Sequence, residues 1–290
     1  MKWPRDAKDW PLQEYSRQVL HRPHRWHLQE AGTGERLLLI HGAGGATQSW
    51  RHLFPILMQT HHVISVDLPG QGFTQIGAQQ RCGLDHMAED LLSLVRHEGW
   101  EPTAIIGHSA GVAIALRMVE LGLRPDMIVG INAALGNFKG VAGWLFPALA
   151  KVLAMTPFSA SLFAATTSRS SVRNLLQGTG SNLGAEGEDL YYRLASDKGH
   201  VDATLSMMAQ WSLDELLARL PQIDTPVHLI TGDNDKAVPP KISADAVERL
   251  PNAQLTTLKG LGHLAHEEDA AQIADAIYAA LANAKGRQQG

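Results

Sequence analysis

Short apolar runs alternate with amphipathic stretches along much of the chain. Arg36–Ile40 (RLLLI), Val63–Asp67 (VISVD), Thr103–Ile106, Met127–Ile131 and Val227–Thr231 (VHLIT) are four to five residues long, rich in Leu, Ile and Val, and several end at glycine or asparagine. Such runs predict strands buried on both faces of a sheet. Between them, Leu84–His97 places apolar residues at 84, 87, 88, 91, 92 and 95, which is helical spacing. Helices are also expected over Gln48–Met58, Ser109–Leu121, Ile242–Arg249 and Asp269 to about Ala284, with a strand at Gln254–Leu258. Residues 1–24 read as an irregular arm and Arg25–Glu30 as a short edge strand.

Strand, helix, strand, helix predicts an α/β fold: a mostly parallel, doubly wound sheet joined by crossover helices. The rhythm stops near Asn132 and returns at Val227. The expected organisation is therefore a core from residues 1–135 and 213–290, with residues 136–212 inserted as a helical cap. Val141–Ser168 is almost uncharged, with Lys151 alone, and Pro147 and Pro157 break it. It reads as short lid helices, or as a greasy pocket wall or membrane-surface contact.

Composition narrows the function. With 290 residues and 44% hydrophobic content, the chain can bury one large core. Lys and Arg total 25 against 29 Asp and Glu, a net charge of −4, which argues against nucleic acid as a partner. Cys82 is a single cysteine, so no internal disulfide and no Cys-based metal pattern is expected. The first twenty residues lack an apolar targeting core, and no stretch has eighteen uninterrupted apolar residues. A cytoplasmic protein is expected, with the lid as the candidate peripheral membrane contact.

The chemistry concentrates at the ends of the expected strands. Gly107-His108-Ser109-Ala110-Gly111 is G-x-S-x-G between an apolar strand and an amphipathic helix. A sharp turn there lifts the Ser109 hydroxyl above the sheet. A hydroxyl is a weak nucleophile and needs a histidine base oriented by a carboxylate. Gly232-Asp233-Asn234-Asp235 and Leu261-Gly262-His263 follow later strands on the same rim. Asp235 is the preferred acid, with Asp233 as the alternative that caps the turn; His263 is the base. The oxyanion donors are expected to be the N–H groups of Ala43 and Ala110, with Gly44 the fallback in the loop His41-Gly42-Ala43-Gly44-Gly45. Gly42, Gly44, His108, Trp144, Met207 and Met208 are candidate pocket residues. His266 is expected to cap or pack the final helix, and His200 to face the pocket or bridge lid helices. No metal and no organic cofactor is called for.

HGAGG, DLPGQGFT, GHSAG, GDNDKAVP and GLGHLAHEE stand in the order found in α/β-hydrolases, which the chain resembles over nearly its whole length. KDWP, RWHLQEAG, INAALGNF, LLQGTGS and GHVDATLSMMAQW are similar to the BchO-type accessory proteins of magnesium chelatase. That resemblance implies magnesium insertion in bacteriochlorophyll synthesis, with chelatase subunits as partners. It leaves the reaction open. Serine hydrolysis of an ester, thioester or carbon–carbon bond stands beside a non-catalytic role in binding a porphyrin or a chelatase subunit. An apolar ester or a tetrapyrrole is the expected small-molecule partner.

Overall fold

The structure, a computed structural model, describes residues 1–77, 81–136 and 159–288. Eight strands form one sheet: β1 (Ser16–His21), β2 (His24–Ala31), β3 (Arg36–Ile40), β4 (His62–Val66), β5 (Ala104–His108), β6 (Met127–Ile131), β7 (Val227–Gly232) and β8 (Ala253–Leu258). Their spatial order is β1-β2-β4-β3-β5-β6-β7-β8. Strands β4 to β8 and β3 pair in parallel, whereas β1–β2 and β2–β4 pair antiparallel.

The antiparallel start differs from expectation. The stretch expected as an edge strand is β2, an inner strand, and the edge is β1, which lies within the expected arm. The physical reason lies in burial. Along β1 only Val19 is buried, so the strand carries no hydrophobic alternation. Along β2 the buried residues include polar His24, His27 and Gln29, which disguise an inner strand. Each finds a partner: His24 bonds Asp90, His27 bonds Asp67, and Gln29 donates to the Pro11 carbonyl.

The helices are α1 (Phe54–Leu57), α2 (Leu84–His97), α3 (Ala110–Glu120), α4 (Ser159–Thr166), α5 (Arg169–Gly178), α6 (Gly184–Ala195), α7 (Lys198–Gln210), α8 (Asp214–Arg219), α9 (Pro240–Val247), α10 (Ala265–Glu268) and α11 (Ala270–Gln288). The helix expected over Gln48–Met58 is split into a 3₁₀ turn at Thr47–Trp50 and the short α1. Pro55 sits in the first turn of α1. It has no N–H to continue a helix from residue 51, and its ring would clash with that carbonyl.

Alternate strand residues face opposite layers. Leu38, Ile40, Ile64, Val66, Ile105 and Ile128 pack with α2 and α3. Leu37, Leu39, Val63, Ile106 and Val129 pack with Trp50, Phe54 and Ile273 and Ile277 of α11. Covered on both faces, the inner parallel strands hold the loops at their carboxyl ends along one rim, and β8 joins them at the edge. Helices α4 to α7 fall between β6 and β7 in sequence. Among the described residues, no helix is long and apolar enough to cross a membrane.

Candidate active site

Strand β5 delivers Ser109 directly into α3. Ser109 has φ 52° and ψ −115°, a conformation that L residues rarely hold. Its N–H donates to the Ile131 carbonyl at 2.9 Å, and its carbonyl accepts from Val112 and Ala134 N–H at 3.2 Å each. The flanking glycines exist because nothing larger fits. A Cβ at Gly107 would lie 2.7 Å from the Val112 nitrogen, and one at Gly111 only 2.2 Å from the Ile40 carbonyl oxygen.

Three side chains from distant loops meet above this turn. The Ser109 hydroxyl lies 3.1 Å from His263 Nε2. His263 Nδ1 lies 2.8 Å from Asp235 Oδ2. With Nδ1–H donating to the carboxylate, Nε2 is left as an acceptor for the serine proton. Asp235 is buried and fully bonded: Oδ1 accepts from Ala237 N–H at 2.9 Å and Val238 N–H at 2.8 Å, and Oδ2 also accepts from Asn132 Nδ2 at 2.6 Å. Asp233 points elsewhere. Its Oδ1 accepts from Gly260 N–H at 2.6 Å and so closes the β8 turn.

Ala110 follows the serine as the first residue of α3, and Ala43 lies in the loop after β3. Among the described residues, neither backbone N–H has an acceptor. The Gly44 N–H, in contrast, donates to Gln71 Oε1 at 2.8 Å. Gly42 packs so tightly that a Cβ there would lie 2.9 Å from His108 Nδ1 and 3.0 Å from Ser109 Cβ.

The candidate pocket residues divide. His108 is only 4% exposed; its Nε2–H donates to the His263 carbonyl at 2.9 Å, and its ring lies 4.4 Å from that of His266. Burial, then the adjoining His266 and His263, hold its pKa well below the usual histidine value, so it is a neutral support beneath His263. Met207 is buried in the main core, and Gln71 Nε2 approaches its sulfur to 3.3 Å, whereas neighbouring Met208 is 42% exposed. Trp144 lies outside the described residues.

Two other histidines do more than their sequence positions suggest. His266 does not cap α11. It is fully buried, its Nε2 lies 2.7 Å from Ser49 Oγ, and its ring packs on Trp50. Ser49 also donates to Glu267 Oε1 at 2.9 Å, and Tyr191 of α6 donates to the same oxygen at 2.7 Å. Arg51 pairs with the other oxygen of Glu267. His200 of α7 is buried. It ties two rim loops, accepting from Gly72 N–H at 3.1 Å through Nδ1 and donating to the Gly44 carbonyl at 3.2 Å through Nε2. Among the described residues, no group of three or more His, Cys, Asp or Glu is arranged to hold a metal ion.

The family model described as alpha/beta hydrolase fold matches residues 35–270. The chain is 44% identical over 262 residues to the magnesium-chelatase 30 kDa subunit of Rhodobacter capsulatus, covering 89% of this chain and 92% of that one. It is 25% identical over 283 residues to the 2-hydroxymuconate semialdehyde hydrolase of Pseudomonas sp. (strain CF600), covering 93% and 95% respectively. Among solved structures, the epoxide hydrolase CorEH aligns with a TM-score of 0.79 at 20% identity, over 92% of this chain and 98% of that one. At that identity the likeness speaks for the fold alone.

Proposed function

The chain belongs to the alpha/beta hydrolase fold family, and from that premise we propose that it is a serine hydrolase acting on an ester-type acyl bond. One observation carries the reading: two hydrogen bonds in series, Ser109 Oγ to His263 Nε2 at 3.1 Å and His263 Nδ1 to Asp235 Oδ2 at 2.8 Å. In this reading Ser109 Oγ attacks the acyl carbon as His263 takes its proton. Asp235 holds the ring and faces the imidazolium that forms. The developing oxyanion accepts from the Ala43 and Ala110 N–H groups, which are fixed before the substrate arrives. Collapse expels the alcohol or thiol, which takes the proton from His263. Water, activated by the same imidazole, then releases the acid from the acyl-enzyme. Every group needed is a side chain or backbone amide of this chain.

The proposed substrate is an apolar ester, with a tetrapyrrole ester as first candidate, under a cap formed by residues 136–212. The likeness to the Rhodobacter magnesium-chelatase 30 kDa subunit supports the tetrapyrrole context. Leu162 and Phe163 of α4, 66% and 51% exposed, support an apolar contact. A fluorophosphonate probe tests the reading. It is expected to modify Ser109, and Ser109→Ala is expected to abolish labelling; an unsubstituted chain that resists the probe overturns it.

The name of that same relative, a chelatase subunit, favours a second reading. The chain would hold a porphyrin or a chelatase subunit without hydrolysis. If Ser109→Ala fully restores pigment synthesis in a deletion strain, the second reading replaces the first.

A further inference from the structure

The turn between α5 and α6 carries Thr179, Gly180, Ser181 and Asn182, within the inserted segment and far from the sheet in sequence. In space it lies between the loop that bears Asp235 and the loop that bears His263, and it bonds to both. Towards the Asp235 loop, the Thr179 carbonyl accepts from Lys236 N–H at 3.0 Å, and the Gly180 carbonyl accepts from Asn234 Nδ2 at 2.8 Å. These residues flank Asp235 on either side. Towards the His263 loop, the same Thr179 carbonyl accepts from His263 N–H at 3.4 Å, and Ser181 Oγ accepts from Leu264 N–H at 2.8 Å. Glu268 adds a bridge, accepting from Asn182 N–H at 3.0 Å and Gly262 N–H at 2.7 Å.

The packing allows no slack. Gly180 has φ +90°, and a Cβ on it would lie 2.0 Å from the Asn234 carbonyl oxygen. A Cβ on Gly262, the residue before His263, would lie 2.4 Å from the Gly180 carbonyl carbon. Backbone therefore touches backbone on both sides of the turn. Ser181 is 2% exposed, so its hydroxyl faces no competing solvent.

We propose that Thr179–Ser181 is a positioning element for the relay: the inserted segment sets the separation of Asp235 and His263 by bonding the loops that carry them. None of these residues touches the reacting atoms. The proposal rests on the hydrolase reading for its kinetic consequence, but its geometric claim stands without it. The two loops also bond each other directly, Asn234 N–H donating to the Leu261 carbonyl at 3.0 Å; the turn adds bonds to the residues on either side of Asp235 and to His263 itself, and displacements of about 1 Å cost orders of magnitude in rate.

The test compares Ser181→Ala and Gly180→Ala with the unsubstituted chain, using a fluorophosphonate probe and proton NMR. Ser181→Ala is the primary variant because it removes one acceptor without backbone strain. It is expected to lower the maximal inactivation rate about tenfold with the probe's half-saturating concentration unchanged. The far-downfield resonance of the His263 Nδ1–H bonded to Asp235 is expected to shift or broaden. Gly180→Ala, where it folds, is expected to lower the rate about a hundredfold. Ile277→Val in α11 supplies a control with comparable loss of melting temperature and no change in either signal. If Ser181→Ala leaves both the rate and the resonance unchanged, the positioning proposal falls. If the unsubstituted chain fails to label, the hydrolase reading falls, and the NMR signal alone decides the positioning claim.

Discussion

Asn132 Nδ2 lies 2.6 Å from Asp235 Oδ2, the oxygen that also accepts the hydrogen bond of His263 Nδ1–H. Asn132 directly follows β6 with φ 47°, a left-handed conformation that asparagine tolerates better than most residues. From there its amide reaches across to the β7 loop and fixes which face of the carboxylate meets the imidazole. Asn132→Ala removes that donor and frees the carboxylate to rotate. The expected result is about a tenfold slower reaction of Ser109 with a fluorophosphonate, read by labelling kinetics at fixed probe concentration.

Asp233 and Asp235 are two residues apart and have separate tasks. Asp235→Asn keeps the shape but presents an amide, so the ring no longer leaves Nε2 free to accept. Labelling of Ser109 is expected to fall about 10³- to 10⁴-fold. Asp233→Asn loosens only the turn at Gly260 and is expected to leave labelling within about twofold. The two variants, run side by side against the probe, check the assignment directly.

His200 gives the fold a pH dependence of definite sign. Its two bonds, one accepted and one donated, require the neutral ring. Burial lowers its pKa from 6.5 to about 4. An unfolded chain takes up this proton below about pH 6.5, while the folded chain refuses it until about pH 4. The stabilisation is therefore complete above pH 6.5 and is lost as the pH falls towards 4, by about 3 kcal/mol for this group. Buried His41, His108 and His266 are shifted in the same direction and add to the slope. His200→Gln, whose amide can both accept and donate, is expected to flatten the fall between pH 6.5 and 4. Urea midpoints across that range measure it.

Arg51 and Glu267 form a buried ion pair that joins the turn after β3 to α10. Burial pushes the Glu267 carboxyl up, so removing its cation leaves a costly charge. Arg51→Met is expected to destabilise by about 3 to 5 kcal/mol. Adding Glu267→Gln, which still accepts from Ser49 and Tyr191, is expected to recover a large part of that loss. Chemical denaturation of the single and double variants checks the difference.

The sequence showed the parallel strands because burial on both faces leaves continuous apolar runs. It also suggested one rim for Ser109, Asp235 and His263, since Ser109 and Asp235 follow such runs, His263 follows the next strand, and turn glycines mark each spot. What it hid are groups whose meaning lies in distant partners. Asn132 serves Asp235 from 103 positions away, and His266 serves Ser49 from 217; neither leaves a periodic trace. Asn132 had one readable signal, a polar residue directly after a fully buried strand at the carboxyl edge. The β1–β2 hairpin escaped for the opposite reason: its buried polar residues break the apolar pattern that would have announced it.

The sheet order has a consequence during synthesis. A chain emerging N-terminus first completes β1 to β6, and with them the Ser109 turn, before β7 and β8 exist. Asp235 and His263 arrive with the last two strands, which add to one edge of a sheet already formed. On the proposed hydrolase reading, the nascent polypeptide thus carries its hydroxyl without base or acid until translation is nearly over, and a fragment ending before residue 226 is expected to resist a fluorophosphonate at that serine.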